Sequence, residues 1–201
     1  LSVSFNASHA EDGDKKNHFP YPKVVGSLYE GVKMPQPKLS DPKVFESQPE
    51  FLRKSMNRDR YFWRWDTEEK YQNNMRNYLR MISGIDHAIG RVIKELDSQG
   101  MADKTVIIYM ADNGYYAASR GFAGKWSHYE ESQRVPLIIF DPRAKKEARG
   151  KREKGIALNV DIAPTIVALA GARMPQGYQG RSLTASLEGS PEAKAPGDFF
   201  C

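Results

Sequence analysis

Apolar residues recur at Tyr71, Met75, Tyr78, Ile82, Ile85, Ile89, Val92 and Leu96, in alternating steps of four and three. That spacing holds them on one face of a 3.6-residue helix and predicts a helix over 67–99. Asp66 with Glu69 resembles a capping pair, and Gly100 is a stop signal. The stripe reads as core packing. Gly84 and Gly90 inside it lower helix propensity and point to close packing on a sheet. Residues 105–111 (TVIIYMA) and 135–140 (VPLIIF) are continuous apolar runs rich in β-branched residues. Such runs predict strands buried on both faces, as in a parallel sheet under helices. Residues 1–5 (LSVSF) predict a short strand that turns at Asn6-Ala7-Ser8-His9. Residues 159–170 predict a helix with Asp161 near its cap, Pro164 in its first turn and Gly171 as its stop. Residues 10–66 are polar and Pro-rich without a sustained period, which predicts a long loop or insertion with one short helix near 49–58. Residues 172–198 are turn-rich, and Phe199-Phe200-Cys201 looks like the start of a strand. Strands alternating with long helices indicate an α/β domain, a mainly parallel sheet flanked by helices.

Composition narrows the picture. A chain of 201 residues with 40% hydrophobic residues suits one domain or a large part of a bigger one, and supports a real core. The single cysteine excludes a disulfide framework and a thiolate-built zinc site. No apolar run approaches the roughly 20 residues of a membrane-spanning helix. The net charge of +5 comes largely from residues 143–154 (RAKKEARGKREK). That block reads first as a solvated surface loop and second as an attractor of anionic partners. A nucleic-acid partner is not expected, because no recognised module occurs and the aromatics do not interleave with the basic block. The chain opens on Leu1 with no leader pattern, so the native start is expected to lie upstream.

In open parallel sheets, ligands bind beyond the carboxyl ends of strands. His9 follows the first predicted strand, and Asp112-Asn113-Gly114 follows the second. Lys125 and His128 lie in the loop before the next strand. Asp112 and Asn113 offer hard oxygen donors for Ca²⁺ or Mg²⁺, although Asp-Asn-Gly is equally a turn signal. Lys125 carries a compact charge suited to an oxyanion, and His9 is a candidate proton donor. Read singly, each is more often an ordinary turn or surface residue. His18 and His87 are expected to be such.

Together these segments resemble the sulfatase family, within the alkaline phosphatase superfamily. The resemblance rests on Met110-Ala-Asp-Asn-Gly-Tyr-Tyr116 and on Gly124-Lys-Trp-Ser-His-Tyr-Glu-Glu-Ser-Gln-Arg-Val-Pro136. It continues in Asn159-Val-Asp-Ile-Ala-Pro-Thr165 and Gln179-Gly-Arg-Ser-Leu183, with Ser4-Phe-Asn-Ala-Ser-His9 as a weaker match. The resemblance implies part of an alkaline-phosphatase-like sandwich, incomplete at both ends. Residues 1–201 would be a piece of its catalytic domain, 10–66 a loop or insertion and 67–187 the α/β core. It implies Ca²⁺ held in part by Asp112 and Asn113, and sulfate contacted by Lys125 and His9. His128, Arg120 and Tyr116 are candidate sugar contacts. The substrate would be a sulfated carbohydrate or other sulfate ester, and family members are commonly periplasmic or secreted.

In the family the nucleophile is a formylglycine made from a Cys/Ser-x-Pro-Ser-Arg motif, which this sequence lacks. The early aspartate pair and Lys-x-His pair of the family are absent as well. The expectation is an internal or C-terminal-side piece of a longer enzyme, with no nucleophile in this chain and no activity alone. Two alternatives stand beside this reading. One is a phosphodiesterase or phosphonate hydrolase of the same superfamily, and the other a non-catalytic polyanion-binding remnant.

Overall fold

The computed structural model describes residues 1–188, which form two units. The first comprises Leu1–Ala102 and Asn113–Leu137. Three helices occupy its early stretch: α1 (Pro42–Glu46), α2 (Glu50–Arg53) and α3 (Met56–Arg64). The sequence pattern predicted mostly loop there. These helices are short and lack an apolar stripe. On α3 the buried residues are Asn57 and Arg64, so no apolar period marks the element.

Polar side chains hold this region in place. Arg64 is 1% exposed and pairs with Asp12, which also lies 3.4 Å from Arg60. The backbone carbonyl of Arg64 accepts from Asn74 Nδ2 at 2.8 Å. Arg58 stacks over the rings of Phe45, Tyr61 and Phe62 and donates to Gly121 O at 2.8 Å. Beside Arg64, Phe19, Trp65, Tyr71, Tyr78 and Tyr115 form one aromatic cluster. Ring centroids there are 5.4 Å apart for Phe19–Trp65 and 5.7 Å for Tyr78–Tyr115. Burial pushes the Tyr115 phenol up to about 12, so it stays neutral at ordinary pH.

Helix α4 (Glu68–Ser98) matches the predicted long helix. Its cap is Thr67, whose side chain accepts from the Lys70 N–H at 3.2 Å, and Glu68 and Glu69 complement the positive helix end. Asp66 instead pairs with Lys70 one turn on, at 2.6 Å. Gly100 ends the run with φ +62. Tyr71 and Ile85 of the apolar stripe are buried, but Ile82 and Val92 are exposed. The expected packing of the helix glycines on a sheet is not what this unit shows. Gly84 faces Pro22, whose Cγ would lie 2.7 Å from an added Cβ, and Gly90 has nothing close. The partner surface is a loop rich in backbone carbonyls, so Arg80 joins the buried side and donates to Leu28 O at 2.9 Å. Helix α5 (Glu130–Gln133) closes the unit. Residues 1–5 are not a strand. They are exposed, and a lone strand without a ladder partner is not stable.

The second unit comprises Asp103–Asp112 and residues 138–188 of the described chain. Strands β1 (Ile107–Met110) and β2 (Leu137–Phe140) pair in a two-stranded sheet. They fall within the predicted runs, but are not buried on both faces. β1 is half-buried throughout, and β2 alternates, with Ile138 and Phe140 turned to solvent. Alternate strand residues point to opposite faces, and only one face of β2 is covered. The basic block 143–154 is largely solvated, as expected.

Helix α6 (Ile162–Leu169) follows a single turn at Asn159–Asp161, and Gly171 ends it with φ +66. Asp161 is 3% exposed and accepts from the Leu158 and Arg181 N–H groups, each at 2.9 Å. Thr165 is fully buried, donates to Asp161 O at 2.6 Å and accepts from the Leu183 N–H at 2.9 Å. A Cβ on Gly180 would lie 2.1 Å from Val160 O, so only glycine admits this backbone approach. The Asp-Ile-Ala-Pro-Thr and Gln-Gly-Arg-Ser-Leu motifs are thus one staple. A short helix, α7 (Thr184–Glu188), follows where turns were predicted. The predicted strand start at 199–201 lies outside the described residues. Among the described residues, no helix is long and apolar enough to cross a membrane.

Two outcomes are expected. Thr165→Val strands the buried Leu183 N–H and costs about 2 kcal/mol. Urea unfolding should show a lower midpoint at unchanged slope, and an unchanged midpoint would remove the staple. The second outcome concerns acid. Burial raises the Asp12 carboxyl, but Arg64 and Arg60 outweigh it and hold it below its ordinary 3.8. Its contribution is full above the unfolded value and lost as pH falls through the lower folded one. Asp12→Asn should therefore lower stability at pH 7 and converge with the parent once pH falls below the lowered folded-state value. Parallel pH profiles would contradict the pair's role.

Candidate functional site

The loop Gly124–Trp126 is clamped from both sides. Tyr116 N–H donates to Gly124 O at 2.9 Å. Asn57 on α3 donates through Nδ2 to Lys125 O at 2.5 Å and accepts the Ala123 N–H on its own carbonyl at 2.9 Å. Asn57 is 4% exposed, so this anchor is out of competing water. The backbone of Lys125 is fixed while its half-exposed ammonium projects, 5.8 Å from the Trp126 ring centroid. Trp126 sits in the left-handed region, φ +72, and is 63% exposed. The Arg60 guanidinium lies 4.6 Å from the same ring.

His9 is exposed. Its Nδ1 lies 2.8 Å from Ala10 O, which makes Nδ1 the protonated donor and Nε2 the position for exchanging a proton. His9 and Lys125 do not hydrogen-bond to each other. They share an anchor instead. Asp12, three residues after His9, is held by Arg60 and Arg64 of α3, and Asn57 of α3 holds Lys125. One helix therefore carries both segments.

The chain passes from the second unit to the first at Asp112-Asn113. Within the second unit, Asn159 Nδ2 donates to Asp112 O at 3.0 Å. Within the first, Gly114 N–H donates to Ser132 O at 2.8 Å, and a Cβ on Gly114 would lie 2.2 Å from Glu131 O. The glycine of Asp-Asn-Gly is thus required by close packing. Asn113 Nδ2 donates to Gly114 O at 2.8 Å, which orients its amide. Among the described residues, no three His, Cys, Asp or Glu side chains converge to hold a metal. Asp112 and Asn113 fit a hard cation by donor type and supply only part of a shell.

The three expected sugar contacts differ. Tyr116 is 2% exposed, packs on Phe122 and bonds Ser127 through its hydroxyl. Burial pushes its phenol up. Tyr116 therefore buttresses the loop from within. Arg120 pairs with Glu131 at 3.1 Å and stacks on Tyr129 at 4.1 Å, so its charge is already engaged. Burial would raise the Glu131 carboxyl, but Ser119 and Arg120 outweigh it and hold it low. His128 is exposed, with Nδ1 3.4 Å from Gln133 Nε2. The residues that sequence reasoning passed over are Asp12, Asn57 and Arg60, all in the stretch without a period. Trp126 was visible only as part of the Gly-Lys-Trp motif.

A family model described as Sulfatase matches residues 1–172. An N-acetylglucosamine-6-O-sulfatase of Bacteroides thetaiotaomicron is 42% identical over 130 residues, 65% of this chain and 23% of that protein. An arylsulfatase of Chlamydomonas reinhardtii is 41% identical over 138 residues, 64% of this chain and 21% of that protein. The chain thus spans about a quarter or less of these relatives. Among solved structures, a protein in complex with its substrate D-glucosamine-2-N,6-O-disulfate is 28% identical. It superposes with a TM-score of 0.68 over 92% of this chain and 47% of that one. A phosphonate monoester hydrolase from Silicibacter pomeroyi is 29% identical, with a TM-score of 0.72 over 89% of this chain and 36% of that one. With the family model covering most of its length, this chain belongs to the sulfatase family.

Proposed function

We propose that the protein carrying this chain hydrolyses sulfate esters of sugars, with water and the ester giving an alcohol and inorganic sulfate. The observation that carries this is the family match over residues 1–172, which includes the loop that presents Lys125. The relatives named for N-acetylglucosamine-6-O-sulfate and for D-glucosamine-2-N,6-O-disulfate support a sulfated amino sugar. Lys125 neutralises charge that builds on the sulfuryl oxygens, from a backbone already fixed by Asn57. In its imidazolium form His9 gives the Nε2 proton to the leaving oxygen and keeps the Nδ1 proton hydrogen-bonded to Ala10 O. Family membership brings a divalent cation into the reading. We read this cation as Ca²⁺, which the hard oxygens of Asp112 and Asn113 would suit, and when bound it would supply further positive charge at the sulfate. The sequence contains no Cys/Ser-x-Pro-Ser-Arg, and no nucleophile is assigned within it.

The similarity to a phosphonate monoester hydrolase supports a second reading, phosphoryl in place of sulfuryl transfer by the same groups. Comparing release of sulfate from glucosamine 6-sulfate with turnover of a phosphonate monoester, both on the full-length protein, separates the two. Faster phosphonate turnover sinks the first reading.

In the full-length protein, Lys125→Ala should lower kcat by about 10² to 10³ with unchanged thermal unfolding. A wild-type rate would remove Lys125 from the site. Chelation should abolish turnover and added Ca²⁺ restore it, while Asp112→Ala should resist rescue. Full activity in chelator would exclude the cation.

A further inference from the structure

Trp126 is a large apolar side chain, 63% exposed in this chain. A bulky residue with positive φ is an uncommon backbone state, kept only where its surroundings enforce it. The contacts that clamp the Lys125 backbone hold this loop, so the backbones of Lys125 and Trp126 are placed together. The indole is not alone. Arg60 stacks 4.6 Å from its centroid and lies 6.0 Å from Trp63, itself 45% exposed. Arg64, buried and paired with Asp12, backs Trp63 from within at 5.6 Å. The carboxylate paired with these groups is Asp12, shared between Arg60 and Arg64. Arg60 and Arg64 share the one carboxylate of Asp12, so the Arg60 charge is only partly balanced, unlike that of Arg120, which has Glu131 to itself.

An exposed aromatic face suits the apolar face of a pyranose ring. A planar guanidinium beside it suits a carboxylate or sulfate. The guanidinium is pre-placed, because Asp12 and the two indoles restrict its rotation.

We propose that Trp126, Arg60 and Trp63 form a subsite beside Lys125 that binds a sugar ring carrying a second anionic group, a sulfate or a carboxylate. Trp126 supplies the stacking face, and Arg60 reads the charge. This deepens the sulfated-sugar reading and rests on it for the role of Lys125.

The test uses the full-length protein and reads binding, not turnover, so it stands apart from the hydrolysis assay. Tryptophan fluorescence is titrated with methyl glucoside, methyl glucuronide and N-sulfoglucosamine. The acidic rings should bind about tenfold tighter than the neutral one. Whether glucuronide or N-sulfoglucosamine is preferred identifies the anion. Trp126→Ala, read through the remaining tryptophans or by calorimetry, should weaken every acidic ring about tenfold. Arg60→Gln should erase the preference for acidic rings while sparing methyl glucoside, and Arg60→Lys should restore part of it. If Arg60→Gln unfolds, Trp126→Ala still decides, because that side chain is exposed. Equal affinity for neutral and acidic rings, or unchanged binding in Trp126→Ala, overturns the subsite. A protein with sulfatase turnover but no such preference loses the subsite alone. One with the preference but no turnover loses the proposed hydrolysis alone.

Discussion

The buried guanidinium of Arg64 organises the first unit. An arginine taken almost wholly out of water needs a counter-charge, and Asp12 supplies it. That demand ties the segment after His9 to α3. The same helix uses Asn57 to hold the backbone of Lys125 and Arg60 to flank Trp126. Charge burial, side-chain amides and stacked rings therefore set the geometry of the candidate site. The aromatic cluster around Phe19 and Trp65 seals one side of this polar core. These polar groups favour one arrangement, although Asn57 Oδ1 and Arg64 Nε stay buried without a hydrogen-bond partner among the described residues.

That explains what could be read from the sequence. The long helix was legible because its stripe repeats for seven steps, and both apolar strand runs fell where strands formed. The motif glycines were legible as turn signals, but Gly114 and Gly180 are required by backbone approaches that only three dimensions reveal. Helix α3 was invisible to periodicity because its buried positions are Asn57 and Arg64. Residues 1–5 have strand-like composition, yet composition does not supply a ladder partner. Tyr116 and Arg120 stood in the right loop, but their side chains turn to internal partners, and loop membership does not determine direction.

The two motif blocks separate into different roles. Asp161, Thr165 and Gly180 fasten the second unit to itself. The Gly124–Trp126 loop instead spends its fixed backbone on side chains that point outward. An exposed indole between two cations is poor packing and good recognition. On the proposed reading, an ammonium on an anchored backbone beside an aromatic face would serve a charged ester and its ring.

On the proposed reading, the α3-anchored loop presents Lys125 to a sulfuryl group. Soaking crystals of the full-length protein with inorganic sulfate tests it directly. A sulfate oxygen is expected within about 3 Å of Lys125 Nζ, with Asn57 still bonded to the Lys125 carbonyl. Sulfate bound elsewhere, with the Lys125 ammonium turned away from it, would remove Lys125 from the sulfuryl site.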